Sequence, residues 1–562
     1  MAQGLPATEW LARTVARSGT RHVFFVDAIL RNSLIALAEQ GVSTVLAHSE
    51  KAAAYMADGY ARVSGRPGIC MAQSVGSANL ASGLQDPWLG QSPVIAITGR
   101  KVDAHQHRNA YQEVDHARLF EAVAKLSARV STPSDLPRLF RQAWRTALAG
   151  NPRPVHLDLA GPFGEIIELG EVDETIDDPI FSASVPPYRP VPSQSELRLA
   201  ADAIRRAQRP LLVSGAGAIA SRAHAEVLQL AERLHAPIAT TLGGRGIVPT
   251  RHRLAIGTVG TYGVPPTNEL VHAADLAIVI GSQLSDQSTV SWQVPARGKP
   301  VVQIDIDPLE HGRSYAGTLG LQGDPKATIT ALLAELDRAG GNAAPSIAFA
   351  DQAADSMGKW RRAIAPACRS GATPIRVERL CATLGELLPS KAILVADTGY
   401  SGIWTCTLIE LDGVSHTYLR AAGSLGWAFP AALGAKCAAP SRKVICFTGD
   451  GGFYYHLAEL ETARRRGLAV TVIVNNNSGF GQGYVNMRRQ GKTPEQLREL
   501  ACFTSTNFAE VARAFGVEGV RVERPDDLDS VLSRAIAADR TVVVDIATDI
   551  AAATPQAWNP NP

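Results

Sequence analysis

The sequence predicts an α/β protein of three doubly wound domains, each on a mostly parallel sheet. Strand-like apolar runs alternate with helical patterns along almost the whole chain. Two stretches break that alternation and read as linkers: residues 170–195, acidic and then Pro-rich, and residues 339–373, mixing Gly, Ala, Pro and Ser around one helix-like piece. Glycine-rich turns directly follow apolar runs, where parallel strands hand over to helices and such sheets hold their ligands. The breaks leave segments 1–169, 196–338 and 374–550, each of domain size, and a tail at 551–562. No short-period repeat appears, and the outer two segments are candidates for related folds.

Bulk properties narrow the class. The 562 residues carry 55 basic and 53 acidic side chains, interspersed, for a formal net charge of +2. That balance argues against nucleic acid or an anionic membrane as the main partner. The opening MAQGLPATEWLARTVARSG lacks the apolar core of a signal peptide, and no apolar run approaches transmembrane length. Seven scattered cysteines, odd in number and without a CxxC pair, suggest a reducing cytoplasm rather than a zinc site or a disulfide framework. A soluble cytoplasmic protein is expected.

The richest stretch is GDGGFYYHLAELETARRRGLAVTVIVNNNSG, Gly449 to Gly479. The apolar run Val444 to Phe447 ends in Gly-Asp-Gly-Gly and feeds a helix; the run Val470 to Val474 ends in three asparagines and a glycine. Both turns then lie at the carboxyl ends of neighbouring parallel strands. Gly451 and Gly452, without Cβ atoms, let a diphosphate approach backbone N–H groups. Asp450, Asn477 and the Gly479 carbonyl offer hard oxygen ligands that suit Mg²⁺ with water and phosphate in its shell. An ordinary βαβ unit with turn-forming Gly and Asn is the competing explanation. The unit resembles the thiamine diphosphate (ThDP) signature, a GDG followed about thirty residues later by NN, and the spacing 477 − 450 = 27 matches the Asp-to-Asn distance of that family.

In the first segment, VLAHSEKAAAYMADGYAR resembles the RHE-x-x-A-x-x-x-A-x-G-Y-A-R block of ThDP enzymes. Glu50 sits at its strand-to-helix junction, where a glutamate often merely stabilises a helix start. The resemblance implies more: a carboxyl group in an apolar cleft, exchanging a proton with the cofactor's pyrimidine N1′ and so helping its own imino group to ionise the thiazolium C2. The chain departs from the block at Ser49, where the family has His, and upstream at Phe24–Ala28, which replaces a Gly/Pro-rich turn. QSVGSANL resembles the family's S-G-P-G-A-x-N loop and offers Asn79 to the pyrimidine; Gln112 in AYQEVDHARLF falls where acetohydroxyacid synthases, benzaldehyde lyase and 2-hydroxyacyl-CoA lyase carry a Gln beside the reacting carbon.

In the third segment, AAGSLGWAFPAALGAKCA resembles GSMGFGLPAAIGA. The match implies that Leu425 props the bent cofactor and that the Gly423 carbonyl accepts its 4′-amino group. VADTGYSGIW offers Tyr400 and Ser401 to the diphosphate. In the middle segment LLVSGAGA and VVQIDIDP resemble a nucleotide-binding domain, for FAD in acetohydroxyacid synthases or ADP in CoA-using lyases, though a lone Gly-x-Gly is a weak signal.

The resemblance spans about residues 5 to 550 and points to the acetolactate synthase-like branch of ThDP enzymes. It implies a C–C lyase or carboligase for a 2-oxo acid, an aldehyde or ketone, or an acyl-CoA substrate, in a homodimer or homotetramer whose sites lie between subunits. A Trp usual after the Asn run in acetohydroxyacid synthases is missing, and SGFGQGYVNMRRQG looks somewhat more like 2-hydroxyacyl-CoA lyases. A flavin-dependent, pyruvate oxidase-like oxidoreductase is the alternative. A non-catalytic cofactor binder fits poorly with an intact Glu50. The tail is either a cover for the site or a loose end.

Overall fold

The computed structural model describes residues 4–27, 30–161, 164–173, 177–338 and 347–560. Ala28 of the altered upstream turn and residues 174–176 and 339–346 of the two linker segments lie outside the described residues. Three six-stranded sheets, parallel throughout, form the frame. The first runs in the spatial order Ser43–Leu46, His22–Phe25, Gly68–Ala72, Val94–Arg100, Val155–Ala160, Ser127–Val130. The third runs Thr417–Arg420, Ile393–Ala396, Val444–Gly449, Val470–Asn476, Val542–Ala547, Glu518–Val522. Numbered along the chain within each sheet, both orders are 2-1-3-4-6-5, so the outer domains share one topology.

The middle sheet differs. Its order is Ala255–Thr258, Ile238–Thr240, Pro210–Ser214, Leu276–Ile280, Val301–Asp305, Leu319–Gln322, or 3-2-1-4-5-6, the order of dinucleotide-binding folds. Helices cover both faces of these sheets, which is why the central strands read as unbroken apolar runs: Val94–Arg100, Leu276–Ile280 and Val470–Asn476 are buried at every residue.

The outer domains meet through equivalent helices, Glu50–Ser64 and Ala428–Ala438, each following the second strand of its sheet. Both are rich in Ala and Gly, so their backbones touch. A Cβ at Gly59 would stand 2.0 Å from the Ala431 carbonyl oxygen, and one at Gly434 would stand 1.9 Å from that of Met56. The contact is reciprocal, and only glycine permits it.

The segments read as linkers carry structure of their own. Glu171–Val172 pairs antiparallel with Leu5–Pro6, and the short 3₁₀ turn Pro179–Ser182 buries Phe181 against Trp10, Phe140 and Trp144. Ile347–Cys368 is a 22-residue helix whose Phe349, Ala350, Ala353 and Met357 recur at helical spacing and are buried. The latter is the helix-like piece expected within residues 339–373, whereas Pro and acidic residues mask the few apolar anchors of the former. The tail crosses to the middle domain, where the Asn268 side-chain amide donates to the Trp558 carbonyl (2.9 Å) and His272 meets the Trp558 ring edge-on. No helix among the described residues is long and apolar enough to cross a membrane.

Candidate active site

The Gly-Asp-Gly-Gly turn and the asparagine run come together at the carboxyl ends of the third sheet's central strands, as their sequence positions require. Asp450 is the first residue of the short helix Asp450–Tyr454 and is buried. Its Oδ1 accepts the Gly451 N–H (2.8 Å) and its Oδ2 the Gly479 N–H (2.9 Å). Burial pushes this carboxyl up to about 6, against those hydrogen bonds. Of the three asparagines, Asn475 accepts from Thr548 and Asn476 bonds Asp545 and the Thr506 carbonyl, whereas Asn477 Oδ1 is buried with no partner. Gly479 pairs antiparallel with Cys502, and the flanking bonds, Phe480 N–H to Ala501 O and Phe503 N–H to Ser478 O, turn its own N–H and C=O away from Cys502, toward the side where its N–H meets Asp450. A buried carboxylate beside an orphaned amide oxygen is a donor set that a hard divalent cation satisfies, so the residues present fit Mg²⁺.

Packing also requires these glycines. A Cβ on Gly451 would strike the Phe480 ring at 2.5 Å, and one on Gly452 would stand 2.7 Å from Asp397 Oδ2. Asp397, which the sequence reading passed over, is fully buried where strand Ile393–Ala396 ends. It accepts from the Thr398 and Gly426 N–H groups and the Thr448 hydroxyl, and burial lifts it to about 6. It ties three turns into one floor. Next to it start Tyr400, half-buried, and Ser401, buried, in the helix Tyr400–Leu408; Ser401 Oγ lies 3.6 Å from where a Gly449 Cβ would be and so flanks the Asp450 turn, and Tyr400 lies 3.7 Å from where a Gly481 Cβ would be.

The Gly423–Leu425 turn is held by the first domain, through residues with no local motif. Asp86 in helix Gly76–Leu89 is fully buried and accepts the N–H groups of Ala422, Gly423 and Ser424 at 3.0, 3.1 and 2.9 Å. Arg62 bridges Asp86 to Asp58, donates to the Arg420 carbonyl (2.8 Å) and lies over the Trp427 ring, whose N–H donates to Asp58 (2.8 Å). The available signal was a set of charged residues inside Ala- and Gly-rich helices, where charge is rarely buried unpaired. Leu425 is left half-buried and Gly423 exposed, with nothing within 4 Å of where its Cβ would stand.

Glu50 is the first residue of helix Glu50–Ser64, which Ser49 caps by accepting the Ala52 N–H (3.1 Å). That capping role explains a serine in place of the expected histidine. The Glu50 carboxylate is half-buried. The side-chain amide of Asn79 donates to its Oε2 (2.7 Å), and a Cβ on Gly76 would come within 2.3 Å of Oε1. Asn79 therefore meets Glu50, and the deep apolar cleft expected for Glu50 is not formed by one chain alone. Gln112 sits in a turn with positive φ (58°); its Nε2 reaches the Tyr111 hydroxyl (3.2 Å) and its buried Oε1 has no partner. Among the described residues no hydrogen bond joins the Glu50–Asn79 pair to the Asp450 cluster.

In the middle domain the Gly-x-Gly is engaged with its own sheet. The N–H groups of Gly215 and Gly217 donate to the Ile280 and Gly281 carbonyls (2.8 and 3.0 Å), and a Cβ on Gly215 would stand 2.2 Å from the Gly281 oxygen. This Gly-x-Gly stitches the two central strands shut, so its amides are not free to cradle a phosphate of FAD or ADP.

Comparison with known proteins agrees with this geometry. The family profile described as thiamine pyrophosphate enzyme, N-terminal TPP binding domain, matches residues 6–119; the central-domain profile matches 197–332, and the C-terminal TPP binding domain profile matches 397–546. Thiamine pyrophosphate is the same compound as ThDP. A probable acetolactate synthase large subunit of Methanocaldococcus jannaschii is 32% identical over 542 residues, 94% of this chain and 88% of that protein. An acetolactate synthase of Mycobacterium bovis is 31% identical, covering 92% and 82%. Acetolactate synthase isozyme 1 large subunit of Escherichia coli is 29% identical, covering 88% and 84%. With its three domains in that order, the chain belongs to the ThDP-dependent enzymes, on their acetolactate synthase-like branch.

Proposed function

We propose that this enzyme is a ThDP- and Mg²⁺-dependent carboligase of the acetolactate synthase type, which releases CO₂ from one 2-oxo acid and joins the remaining fragment to a second carbonyl compound. The observation that carries it is the buried Asp450 carboxylate beside the orphaned Asn477 Oδ1; the names of the relatives support the choice of substrate. Bound ThDP supplies a thiazolium carbon that adds to carbonyls and takes up the electrons of a breaking C–C bond.

The chain supplies the rest. Asp450, Asn477 and the Gly479 carbonyl hold Mg²⁺, and with it the diphosphate, beside Gly451, Gly452, Tyr400 and Ser401. Leu425 would give the cofactor apolar support, and the Gly423 carbonyl would accept a hydrogen bond from it. Glu50, fixed by Asn79, holds a proton at the pyrimidine N1′. Gln112 brings an unsatisfied amide oxygen to the substrate side. Because Glu50, Gly423 and Leu425 stand open in one chain, a second copy completes the site, in a homodimer or homotetramer. Seven free cysteines suit a cytoplasmic enzyme.

The test is incubation with ThDP, Mg²⁺ and separately pyruvate, glyoxylate or a 2-hydroxyacyl-CoA thioester, read by mass spectrometry. Two pyruvates and a proton should give acetolactate and CO₂. Cleavage of the thioester alone would replace this reading with a 2-hydroxyacyl-CoA lyase. A yellow protein producing hydrogen peroxide would replace it with the flavin-dependent oxidoreductase. The middle domain's strand order supports an adenine nucleotide there and its stitched Gly-x-Gly opposes one at that turn; extraction of FAD or ADP from the purified protein decides between them.

A further inference from the structure

A chain of buried polar side chains crosses the first domain and ends on the turn beside Glu50. At its far end the Ser127 hydroxyl donates to His156 Nδ1 (2.8 Å), and His156 Nε2 donates to Thr98 Oγ1 (2.7 Å). Burial holds this imidazole down at about 3, so it is neutral and one nitrogen is free to accept. The Thr98 hydroxyl donates to Asp158 Oδ1 (2.7 Å), and the other Asp158 oxygen faces Arg100 at 3.5 Å. His116 Nδ1 lies 2.8 Å from the same Asp158 Oδ1, and its Nε2 lies 3.1 Å from the Ser74 carbonyl oxygen, which can only accept. Thr98, His116, His156 and Asp158 are each at most 1% exposed. Phe120 stacks on His156 at 3.7 Å, closing the network from water.

The end point matters. Ser74 opens the turn into helix Gly76–Leu89, its carbonyl also takes the Ser77 N–H (3.1 Å), and its hydroxyl reaches the Gly99 carbonyl (3.0 Å). Two residues on, Gly76 lies against Glu50; five residues on, Asn79 holds the Glu50 carboxylate. His116 also stands four residues after Gln112.

We propose that His116 is a positioning residue for Glu50: braced by Asp158, it fixes the Ser74 carbonyl and thereby the turn from which Asn79 aims the Glu50 carboxylate. This rests on the reading of Glu50 as the group that serves the cofactor's pyrimidine. An ordinary core histidine would lose nothing specific when replaced by either amide; a clamp distinguishes them. Gln at 116 places an N–H donor near Nε2, toward Ser74, whereas Asn places one only near Nδ1, toward Asp158.

The experiment uses the full-length protein and two readouts: amide hydrogen exchange of residues 73–84 without cofactor, and exchange of the ThDP C2 proton with ThDP and Mg²⁺ bound. H116N should speed amide exchange in 73–84 about tenfold and slow C2 exchange about tenfold, while H116Q restores both to within about threefold of the parent protein. E50Q should slow C2 exchange and leave amide exchange as it was. Slow E50Q with a normal H116N overturns the clamp alone, as does equal damage from H116N and H116Q. E50Q with unchanged C2 exchange overturns the Glu50 reading and the clamp with it. Should H116N not fold, T98V removes the donor to Asp158 at similar shape: faster exchange over 73–84 supports the clamp, and no change overturns it.

Discussion

The first and third domains share the strand order 2-1-3-4-6-5, yet equivalent turns carry opposite burdens. After the third strand, one domain has Ser74–Gly76, neutral and leaning on Glu50; the other has Asp450–Gly452, with a carboxylate buried beside an orphaned amide oxygen. After the second strand, one has Glu50, half exposed; the other has Gly423–Leu425, uncharged and held by three N–H groups on Asp86. Each domain thus presents one acidic turn and one neutral turn, in reversed places. Two copies of one scaffold can grip the two ends of an asymmetric ligand only if their loops diverge in this complementary way.

The sharpest way to break the comparison is at the buried acid. D450A should lower turnover about a thousandfold and abolish Mg²⁺-dependent retention of ThDP, measured by cofactor titration with and without the metal. E50Q should cost about a hundredfold in turnover while ThDP still binds. If both variants lose cofactor equally, the two turns do not divide the work, and the contrast between them collapses.

Stability without ligands separates the turns by pH. Asp450 has an ordinary carboxyl value near 3.8 and is raised to about 6 in the fold. Between those values the folded protein binds more protons than the unfolded chain, so this group lowers stability as pH rises from 4 to 6, by up to about 3 kcal/mol. Asp397, raised likewise to about 6, adds the same trend. Mg²⁺ should restore the Asp450 share at pH 7, and D450N should remove it at every pH. Melting curves of the cofactor-free protein from pH 4 to 8 check both; a D450N variant with the parent's pH slope would mean that Asp450 is not the strained group.

The fold and the third-domain turns were legible because their signals are local: an apolar run, then glycines, then a helix, within some thirty residues. Asp450 and Asn477 could be picked out on spacing, although only the structure shows why Asn477 and neither of its neighbours has a free oxygen. Asp86 could not be found that way. Three of its partners, Ala422, Gly423 and Ser424, lie more than 330 residues along the chain, and a lone Asp before Pro87 reads as an ordinary turn residue. The surroundings of Glu50 are harder to read from its own helix, since they depend on surfaces that the helix itself does not carry. In the segments between the domains, composition averages over a single Phe181 or Phe349 that decides packing.

The helix pair joining the two domains offers a test of their coupling that leaves both turns intact. In G59V the new Cβ would lie 2.0 Å from the Ala431 backbone oxygen, and backbone cannot swing aside as a side chain can. A loss of about 3 kcal/mol is expected, read as a lower melting temperature, together with weaker Asp86 contacts to the Gly423 turn. G434V, its counterpart against Met56, should cost a similar amount if the two helices are equivalent in energy as well as in place.

The smallest expected effect concerns Ser49. Its hydroxyl accepts the Ala52 N–H at 3.1 Å and so satisfies a donor that the first helical turn cannot. S49A should cost about 1 kcal/mol in chemical denaturation. It also loosens the residue from which Glu50 projects, so turnover should fall more than this modest destabilisation explains, with ThDP affinity unchanged. S49D, which keeps a capping acceptor, should recover the stability, but it sets a second carboxylate beside Glu50 and should leave turnover low. Recovery of both would show that Ser49 acts only as a cap, and that the acidic turn of the first domain tolerates a neighbouring charge.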